Sequence, residues 1–430
     1  MSDGLNIAIN AQIPPGRGFG GVEYVLVALV QALGQLDGPE QYTLITHWEN
    51  ADWLQPYIGP NQRTVPGPRP MERFGGSTPR ALRPLAKRLH RMAVSFLGPE
   101  VLPRRPLVPV SDGFYEGLGC DVIHFPYQRF VICALPSIFN PHDLQHRHFP
   151  QFFGVEELLL RETIYTTACH HAHTVAVINE WVKGDVLRHY NPHPDKVQII
   201  PLAVPSAPYP DPTPQKLAAV KAAYALPGVF MIYPAVTWPH KNHLRLLDAL
   251  ALLRDRGLRV NLICTGHQGE YYYDAIQPRL DALKLGEQVR FLGLVPAEDL
   301  RALYQLAQFL IHPTLFEASS SVIGEAWRDG LPVTCANVTA LPDLVLDGAV
   351  LFDPYSVESM ADAIRHMATD AHLRTTMHER GVRRLADFSW ERSARAYRAL
   401  YRRAAGRPLD AEEQHLLAWD WGRYPQREGE

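Results

Sequence analysis

The chain has 430 residues, of which 46% are hydrophobic and 20% are charged, and its formal net charge is −3. At about 150 residues per domain this length predicts two to three domains, and the near-neutral charge argues against a nucleic-acid-binding polycation. The cysteines occur singly and without a CxxC pair, which argues against a disulfide framework or a zinc ribbon and favours a reducing cytoplasm. They are Cys120, Cys133, Cys169, Cys264 and Cys335.

Short apolar runs alternate with longer amphipathic stretches along the whole chain, which is typical of βαβ units and a parallel sheet. Strands are predicted in the first half at 6–10, 42–46, 121–125, 137–140, 174–178 and 197–201. In the second half they are predicted at 230–234, 260–265, 289–293, 309–313, 332–335 and 350–353. No run approaches the roughly 18 apolar residues of a membrane span, and no signal-peptide pattern opens the chain. We therefore expect a cytoplasmic protein.

A run of prolines marks the expected boundary between two α/β domains, because proline removes backbone donors and fixes φ. The prediction is a first domain over 1–204, a linker over 205–215 and a second domain over 216–387. A segment over 388–407 and a tail over 408–430 follow, and the tail shows neither strand nor helix periodicity. Ligands should bind at the carboxyl ends of the strands, in the cleft between the domains.

Positive charge is concentrated in residues 61–105, whose net charge is +8 while the rest of the chain carries −11. Within this segment an apolar stripe follows helical spacing. Its members are Leu82, Leu85, Leu89, Met92 and Phe96. Two interpretations stay open: a helix packed on its own domain with a solvated basic face, and an interfacial helix that binds an anionic membrane surface.

The stretch 309–333 has the pattern of strand, loop, helix, loop and strand. Glu317 is predicted in the loop and Glu325 inside the helix, so the two carboxylates need not share one ligand atom. Ser319, Ser320 and Ser321 lie between them, at a helix N-terminus whose free N–H groups and positive dipole suit a diphosphate. The alternative is a capped helix with two solvated acids.

A second motif, Trp-Pro-His-Lys241-Asn242-His, follows the first predicted strand of the second domain. This is where a doubly wound sheet binds phosphate, and a lysine there would place a compact positive charge beside a leaving diphosphate. Taken alone, Lys241 is better explained as an ordinary surface lysine.

Together these motifs resemble the retaining glycosyltransferases of family 4, which have the GT-B architecture. Glu317 and Glu325 match the E-x7-E motif of that family, and Pro-His-Lys241-Asn matches its phosphate loop. Three further stretches match in the same order, and they are Val289-Arg-Phe-Leu-Gly293, Asp353-Pro354 and Phe388-Ser-Trp-Glu391. The resemblance implies two Rossmann-like, doubly wound domains facing a cleft, and a C-terminal helix that crosses back to the first domain.

The resemblance also implies roles for individual residues. Glu317 would hold sugar hydroxyls, Glu325 the ribose, and Lys241 with the serine-rich helix start the diphosphate. His142, in Asn140-Pro-His142-Asp143, would face the reacting side of the donor; without the resemblance it is a histidine with a structural hydrogen bond. Further donor contacts are expected from Gly20, Gly21, Asn242, Gly266 and Leu292. The second cation that many members place shortly before the lysine is unassigned, because Thr237 and Trp238 occupy that region.

Two other ligand types are weighed against the sequence. The histidines at 142, 146 and 148 and the stretch Cys169-His170-His171-Ala-His173 lack a clear metal-ligand spacing, so we expect no metal. Gly16-Arg-Gly18-Phe-Gly20-Gly21 satisfies the dinucleotide fingerprint G-x-G-x-x-G, but Gln12-Ile-Pro-Pro intervenes after the strand and no acidic residue follows at the expected distance. A flexible loop near the reaction centre is the preferred interpretation of these glycines.

The sequence therefore predicts a metal-independent enzyme that needs no cofactor and transfers a hexose from a nucleoside diphosphate sugar. The acceptor would be a saccharide or a lipid-linked saccharide in polysaccharide or lipopolysaccharide synthesis. The Trp-Pro-His-Lys241-Asn242-His version of the loop resembles that of bacterial polysaccharide and lipopolysaccharide enzymes, many of which use GDP-mannose, and this resemblance implies mannose as the sugar. The alternatives are a non-catalytic sugar-nucleotide-binding protein and an NAD-dependent oxidoreductase.

Overall fold

The computed structural model of the chain describes residues 4–14, 21–69, 108–204 and 211–419. Within these ranges the chain forms two sheets in which every named strand pair is parallel. Each sheet packs against helices of its own half of the chain, and the first sheet also packs against residues 390–404 near the C-terminus. The predicted α/β class with two Rossmann-like domains is confirmed.

The first sheet has the strand order β3-β2-β1-β4-β5-β6-β7. Its strands are β1 Asn6–Ala11, β2 Gln41–Thr46, β3 Gln62–Pro66, β4 Val122–Phe125, β5 Ser137–Phe139, β6 Thr174–Val177 and β7 Val197–Ile199. Its helices are α1 Gly21–Gly34, α2 Gln145–His148, α3 Val155–His171 and α4 Glu180–Tyr190.

The second sheet has the strand order β10-β9-β8-β11-β12-β13. Its strands are β8 Met231–Pro234, β9 Leu262–Thr265, β10 Val289–Phe291, β11 Phe309–His312, β12 Val333–Ala336 and β13 Ala349–Phe352. The helices of this half are α5 Pro214–Ala223, α6 His243–Asp255, α7 Gln277–Ala282, α8 Ala297–Leu306, α9 Ser321–Arg328, α10 Leu341–Val345, α11 Val357–Thr369 and α12 Ala371–Leu385.

The strand order reverses once in each sheet, between β1 and β4 in the first and between β8 and β11 in the second. Loops that leave the carboxyl ends of strands on either side of such a reversal diverge and leave a crevice in which ligands bind. Lys241 lies in the loop after β8 and Glu317 lies in the loop after β11. The topology therefore brings the two predicted motifs to one crevice.

The strand at the edge of the first sheet was not predicted from the sequence. Residues 62–66 fall at the start of the basic segment, and their side chains are mostly polar. In the structure they form β3, which pairs with β2 over the register Tyr42↔Gln62 to Thr46↔Pro66. An edge strand has one free side and tolerates exposed polar residues and a terminal proline, so it lacks the continuous apolar run that marks a central parallel strand.

The C-terminal helix crosses back to the first domain, as predicted. Helix α13, Trp390–Ala404, contributes Tyr397 and Tyr401 to the core of that domain. Asn140 Nδ2 donates to Tyr397 Oη at 2.6 Å, and His124 bonds Tyr401 Oη at 2.8 Å and Asn140 Oδ1 at 2.7 Å. Burial lowers the pKa of His124 to about 4. The imidazole is therefore neutral near pH 7 and links the helix to the strand beneath it.

The prediction that the tail lacks regular structure is wrong for residues 411–418. These form helix α14, Ala411–Ala418, which begins with a capping box between Asp410 and Glu413. The buried Glu413 carboxylate also pairs with Arg402 at 2.8 Å. Capping and ion pairing hold this two-turn helix together with Leu416, which is buried in the core of the first domain, and Leu417, which packs against that core. Two adjacent leucines do not make a helical apolar periodicity, which explains why the sequence did not reveal the helix.

Several sequence predictions lie outside the described residues. They are Gly20, most of the glycine loop, the basic segment from 70 to 105 with its apolar stripe, the linker from 205 to 210, and the end of the tail from 420. Among the described helices, none combines the length and the hydropathy that a bilayer span requires.

Candidate active site

The loops that carry Lys241 and Glu317 are bonded to each other through their main chains. Lys241 ends a short 3-10 turn, Pro239–Lys241, and its carbonyl accepts a hydrogen bond of 2.8 Å from the buried Tyr233 hydroxyl. The Leu315 N–H donates to the His240 carbonyl at 2.8 Å. The Lys241 ammonium then forms an ion pair with Glu317 Oε1. The two predicted motifs therefore form one rigid site.

The Glu317 carboxylate is held in its ionised form. His312, at the end of β11, places Nε2 at 3.3 Å from Glu317 Oε1. Burial alone would raise the pKa of Glu317, but the Lys241 ammonium and the hydrogen bond and charge of His312 outweigh it and lower the pKa to about 2. The backbone on either side is fixed as well, because Thr339 Oγ1 accepts from the Glu317 N–H at 3.0 Å and donates to its carbonyl at 2.6 Å. This carboxylate is a preorganised hydrogen-bond acceptor.

Asn242 holds the surrounding loops together. Its backbone is left-handed at φ 61°, and the side chain is buried. Nδ2 donates to the carbonyls of Pro313 at 3.0 Å and Pro354 at 2.9 Å, while Oδ1 accepts from Arg245 at 3.1 Å. Because these contacts occupy the side-chain amide, the role of Asn242 in the structure is to join the loops that follow β8, β11 and β13. Direct donor binding by this side chain stays a prediction.

The serine-rich segment leads into α9 as the sequence suggested. Ser320 is the N-cap, and its Oγ accepts from the Ile323 N–H at 3.4 Å and lies 3.5 Å from His312 Nε2. Ser319 is half-buried before the cap, and Ser321 is the exposed first residue of the helix. The first N–H groups of a helix have no partner within it and carry the positive end of its dipole. This N-terminus can bind an anion beside Glu317.

Glu325 lies inside α9 with a separate set of partners. Its Oε2 accepts a hydrogen bond of 3.0 Å from the hydroxyl of Tyr304, which is fully buried on α8. Burial raises the pKa of Glu325, although Tyr304 and Arg328 oppose the effect. Glu317 thus lies in the loop and Glu325 in the helix, as predicted, and their environments move the two pKa values in opposite directions.

Gly266 and Leu292 follow β9 and β10 on the neighbouring side of the crevice. Gly266 has φ 124°, and a Cβ there would lie 2.3 Å from the Ala235 carbonyl oxygen, so the position requires glycine. The Leu292 N–H donates to the Cys264 carbonyl at 2.9 Å, and its side chain packs partly buried on the core of the second domain. Thr237, which lies where many family members have a second cation for the diphosphate, carries no charge. Its hydroxyl donates to the His267 carbonyl at 3.2 Å and accepts from the Gly269 N–H at 2.9 Å.

The first domain contributes His142 and its neighbour Asp143. His142 has a left-handed backbone, φ 62°, and its Nε2 lies 2.7 Å from the Pro126 carbonyl. Burial lowers the pKa of His142. Burial raises the pKa of Asp143, and the charge of Glu317 adds to that effect against Arg161 and His142. The negative charge of Glu317, in the second domain, thus acts on the Asp143 carboxyl in the first domain.

Gly21, the other residue predicted from the first domain, is the first residue of α1. The glycines that precede it lie outside the described residues.

The structure does not bring the predicted histidine groups together. Nε2 of His146 bonds the Tyr190 hydroxyl at 3.0 Å, and Nε2 of His148 bonds Asp185 at 2.8 Å, so each of these histidines, like His142, has its own partner. In the second group, Cys169 is buried in the core while His170 bonds a carbonyl of its own helix. Among the described residues, neither stretch brings its own histidines together around one point, and the absence of a metal stays a prediction.

The contacts between the two domains were not predicted from the sequence. Asn179, the N-cap of α4, donates from Nδ2 to the Ala318 carbonyl at 2.7 Å. Phe316 packs its ring 5.2 Å from that of His148 and 5.6 Å from that of Trp181. These contacts hold the residues on either side of Glu317 against the first domain. An Asn directly after a predicted strand was the one local signal for them.

Comparison with known proteins agrees with this architecture. Residues 225–384 match the family described as glycosyl transferases group 1. The O-antigen chain mannosyltransferase B of Escherichia coli is 28% identical over 252 residues, which cover 58% of this chain and 66% of that protein.

A second relative, the D-inositol 3-phosphate glycosyltransferase of Corynebacterium aurimucosum, is 30% identical over 70% of this chain and 82% of that protein. The structure of sucrose-phosphate synthase from Thermosynechococcus elongatus superposes with a TM-score of 0.64 and 20% identity, over 93% of this chain and 98% of that chain. The fold is GT-B, and the chain belongs to the group 1 glycosyl transferases.

Proposed function

We propose that this protein is a retaining hexosyltransferase of glycosyltransferase family 4, with a nucleoside diphosphate sugar as donor. The observation that carries the proposal is the ion pair of Lys241 and Glu317 beside the N-terminus of α9. The crevice between β8 and β11 thus holds a fixed cation, a helix dipole and an ionised carboxylate. The cation and the helix dipole would stabilise a leaving diphosphate, and the carboxylate would accept hydrogen bonds from the hydroxyls of a sugar.

Charge stabilisation of the leaving group is the main catalytic role in this proposal. As the bond between the sugar and the diphosphate of the donor breaks, negative charge grows on the diphosphate. Lys241 and the first N–H groups of α9 would stabilise this charge. These groups are fixed before the donor arrives, because Tyr233, Leu315 and Ser320 already hold their loops. No reorganisation is then needed during the reaction.

The carboxylates would position the donor. Glu317, ionised and rigid, would accept hydrogen bonds from sugar hydroxyls, and Glu325 would accept those of the ribose. Retention would follow from front-face attack, in which the departing phosphate takes the proton of the incoming hydroxyl, with His142 on the reacting side of the sugar. Orientation of donor and acceptor supplies the rest of the rate. No divalent cation is required at the diphosphate.

Mannose is the proposed sugar, and a saccharide or lipid-linked saccharide is the proposed acceptor. One relative is named as a mannosyltransferase of an O-antigen chain, which supports both assignments. A second relative is named for D-inositol 3-phosphate, so a phosphorylated polyol is the competing acceptor class. We further propose a cytoplasmic location with attachment to an anionic membrane surface through residues 61–105.

A donor screen tests the proposal directly. Thermal unfolding is followed with GDP-mannose, UDP-glucose, ADP-glucose and dTDP-glucose, and at 100 times its dissociation constant a donor stabilises by about 2.7 kcal/mol. The Lys241→Ala variant is the control, since its stabilisation by the true donor should be smaller. A protein that no nucleotide sugar stabilises contradicts the proposal.

The donor found in this way is then supplied with oligosaccharide acceptors. The anomeric configuration of the product is read by NMR, and we expect it to equal that of the donor. Inversion would place the enzyme in another mechanistic class. Transfer should continue in EDTA, and a complete loss that magnesium or manganese restores would show that the diphosphate needs a cation.

A further inference from the structure

Three side chains of the first domain converge outside the site described above. His148 ends α2, while Asp185 and His189 lie one turn apart on α4. His148 Nε2 is 2.8 Å from Asp185 Oδ2, and His189 Nε2 is 3.3 Å from Asp185 Oδ1. The three candidate ligand atoms all lie within 4.8 Å of one another. One carboxylate therefore faces two imidazoles at the same time.

The Asp185 carboxylate is incompletely satisfied. Asp185 is only 2% exposed, and among the described residues its Oδ1 has the 3.3 Å approach of His189 Nε2 but no contact with the geometry of a hydrogen bond. A buried ionised carboxylate is costly unless each oxygen has a strong partner. The imidazoles are each 28% exposed, so the cluster can be reached from solvent. The buried oxygen can then accept an additional positive ligand.

The cluster is chemically suited to a metal ion. Two imidazole nitrogens and one carboxylate suit zinc and related transition metals, whereas magnesium and calcium prefer oxygen ligands throughout.

We propose that His148, Asp185 and His189 bind a divalent transition-metal ion, zinc being the ion that best fits this donor set. Three protein ligands leave a fourth tetrahedral position for water. This site departs from the expectation of no metal, which rested on histidines close in sequence. The ion is separate from the leaving-group site and takes no part in the proposed transfer step.

The ion would also reinforce the contact between the domains. The His148 ring packs 5.2 Å from Phe316 of the second domain and 5.4 Å from Trp181 of its own domain. Coordination through Nε2 would fix the orientation of this ring. Because Phe316 directly precedes Glu317, a bound ion would stabilise the placement of the Glu317 loop against the first domain.

Titration calorimetry with zinc chloride on the EDTA-treated and desalted full chain tests the site. We expect one zinc ion per chain with a dissociation constant in the micromolar range or tighter, and a rise in the thermal unfolding midpoint. His189→Gln and Asp185→Asn should each weaken binding at least tenfold. His193→Gln is the matched control, because this exposed histidine also lies near an aspartate, Asp195 at 3.5 Å, but the described residues offer it no third ligand. It should bind zinc like the wild type.

Cobalt provides an independent readout of the coordination geometry. The full chain titrated with cobalt chloride should show the intense visible absorption of a tetrahedral site, and His189→Gln should abolish it. If the wild type binds no zinc, or if His189→Gln binds zinc as tightly as the wild type, the proposal is wrong. Circular dichroism verifies that each variant is folded, and His189→Gln alone decides the question where Asp185→Asn does not fold.

Discussion

The Lys241 ammonium contacts the Glu317 carboxylate although 76 residues separate them in the chain. Both side chains are largely buried, each with 16% of its surface exposed. In the free enzyme each charge therefore neutralises the other, and neither needs to be desolvated when a donor enters. The pair keeps the cation at the position where negative charge would develop on a leaving diphosphate.

Replacing Lys241 by alanine should reduce transfer strongly. The variant loses the only charge assigned here to the leaving group, and we expect a loss of transition-state stabilisation of about 3 kcal/mol, as for a lost oxyanion donor. The measurement is kcat/KM with the identified donor. Lys221→Ala, an exposed lysine on α5, is the control and should keep wild-type activity. Wild-type turnover in Lys241→Ala would show that the phosphate loop lies elsewhere.

The two glutamates should differ in kinetic effect. Glu325→Gln should mainly raise the apparent dissociation constant of the donor, because the proposed contact between Glu325 and the ribose is already present in the ground state. Glu317→Gln should mainly lower kcat, since sugar contacts can strengthen in the transition state. Steady-state kinetics with varied donor separate the two effects. Identical profiles for the two variants would refute this division of roles.

Acid stability should depend on Glu317. Its pKa is about 2 in the folded protein, below the ordinary value of 4.5. As the pH falls, Glu317 is protonated in the unfolded chain before it is protonated in the folded protein. The stabilisation by the ionised carboxylate is therefore present above about pH 4.5 and is lost as the pH falls toward 2. Urea unfolding of wild type and Glu317→Gln at several pH values measures this.

The difference in stability between wild type and Glu317→Gln should shrink steadily from about pH 5 downward. Glu379→Gln, at an exposed position on α12, is the control and should follow the wild type at every pH. A difference that stays constant down to pH 2.5 would mean that the folded protein holds this carboxyl near its ordinary pKa.

The hydroxyl of Tyr397 should contribute to the attachment of the C-terminal helix. Tyr397→Phe removes the acceptor of the Asn140 amide, which is buried and bonds at 2.6 Å. A buried donor left without a partner costs about 1–3 kcal/mol, so the thermal midpoint should fall. Tyr57→Phe, at a tyrosine that is 38% exposed, is the control and should leave it unchanged. An unchanged midpoint in Tyr397→Phe would show that packing alone holds the helix.

Much of the fold follows from local sequence because central parallel strands are continuous apolar runs, such as Met231–Pro234 and Phe309–His312. The topology then explains why Lys241 and Glu317 meet, since both follow strands beside the reversal in strand order. By contrast, β3 is a polar edge strand and α14 depends on capping. Neither carries the apolar periodicity that predicts an element.

Contacts between side chains that lie far apart in the chain could not be predicted from the sequence. The bond from Asn179 to Ala318 joins two domains, and no local pattern encodes which carbonyl an N-cap amide will reach. In the cluster of His148, Asp185 and His189, one local signal is the spacing of four residues between Asp185 and His189 on α4. The third member, His148, lies 37 residues before Asp185. Only the packing of α2 against α4 brings these groups together.

The last prediction is that the protein attaches to membranes through the segment 61–105, of which residues 70–105 lie outside the described part of the chain. The segment 61–105 carries a net charge of +8, and each basic residue near an anionic surface contributes about 1 kcal/mol of binding. We expect the protein to float with vesicles containing phosphatidylglycerol, to stay behind with pure phosphatidylcholine, and to detach as salt rises. Replacing Arg83, Lys87, Arg88 and Arg91 by glutamate should abolish flotation, whereas the same reversal at Arg254, Arg256, Arg259 and Arg290 should not. A wild type that remains in the soluble fraction at low salt would show that the segment packs on its own domain, and a soluble acceptor would then be favoured.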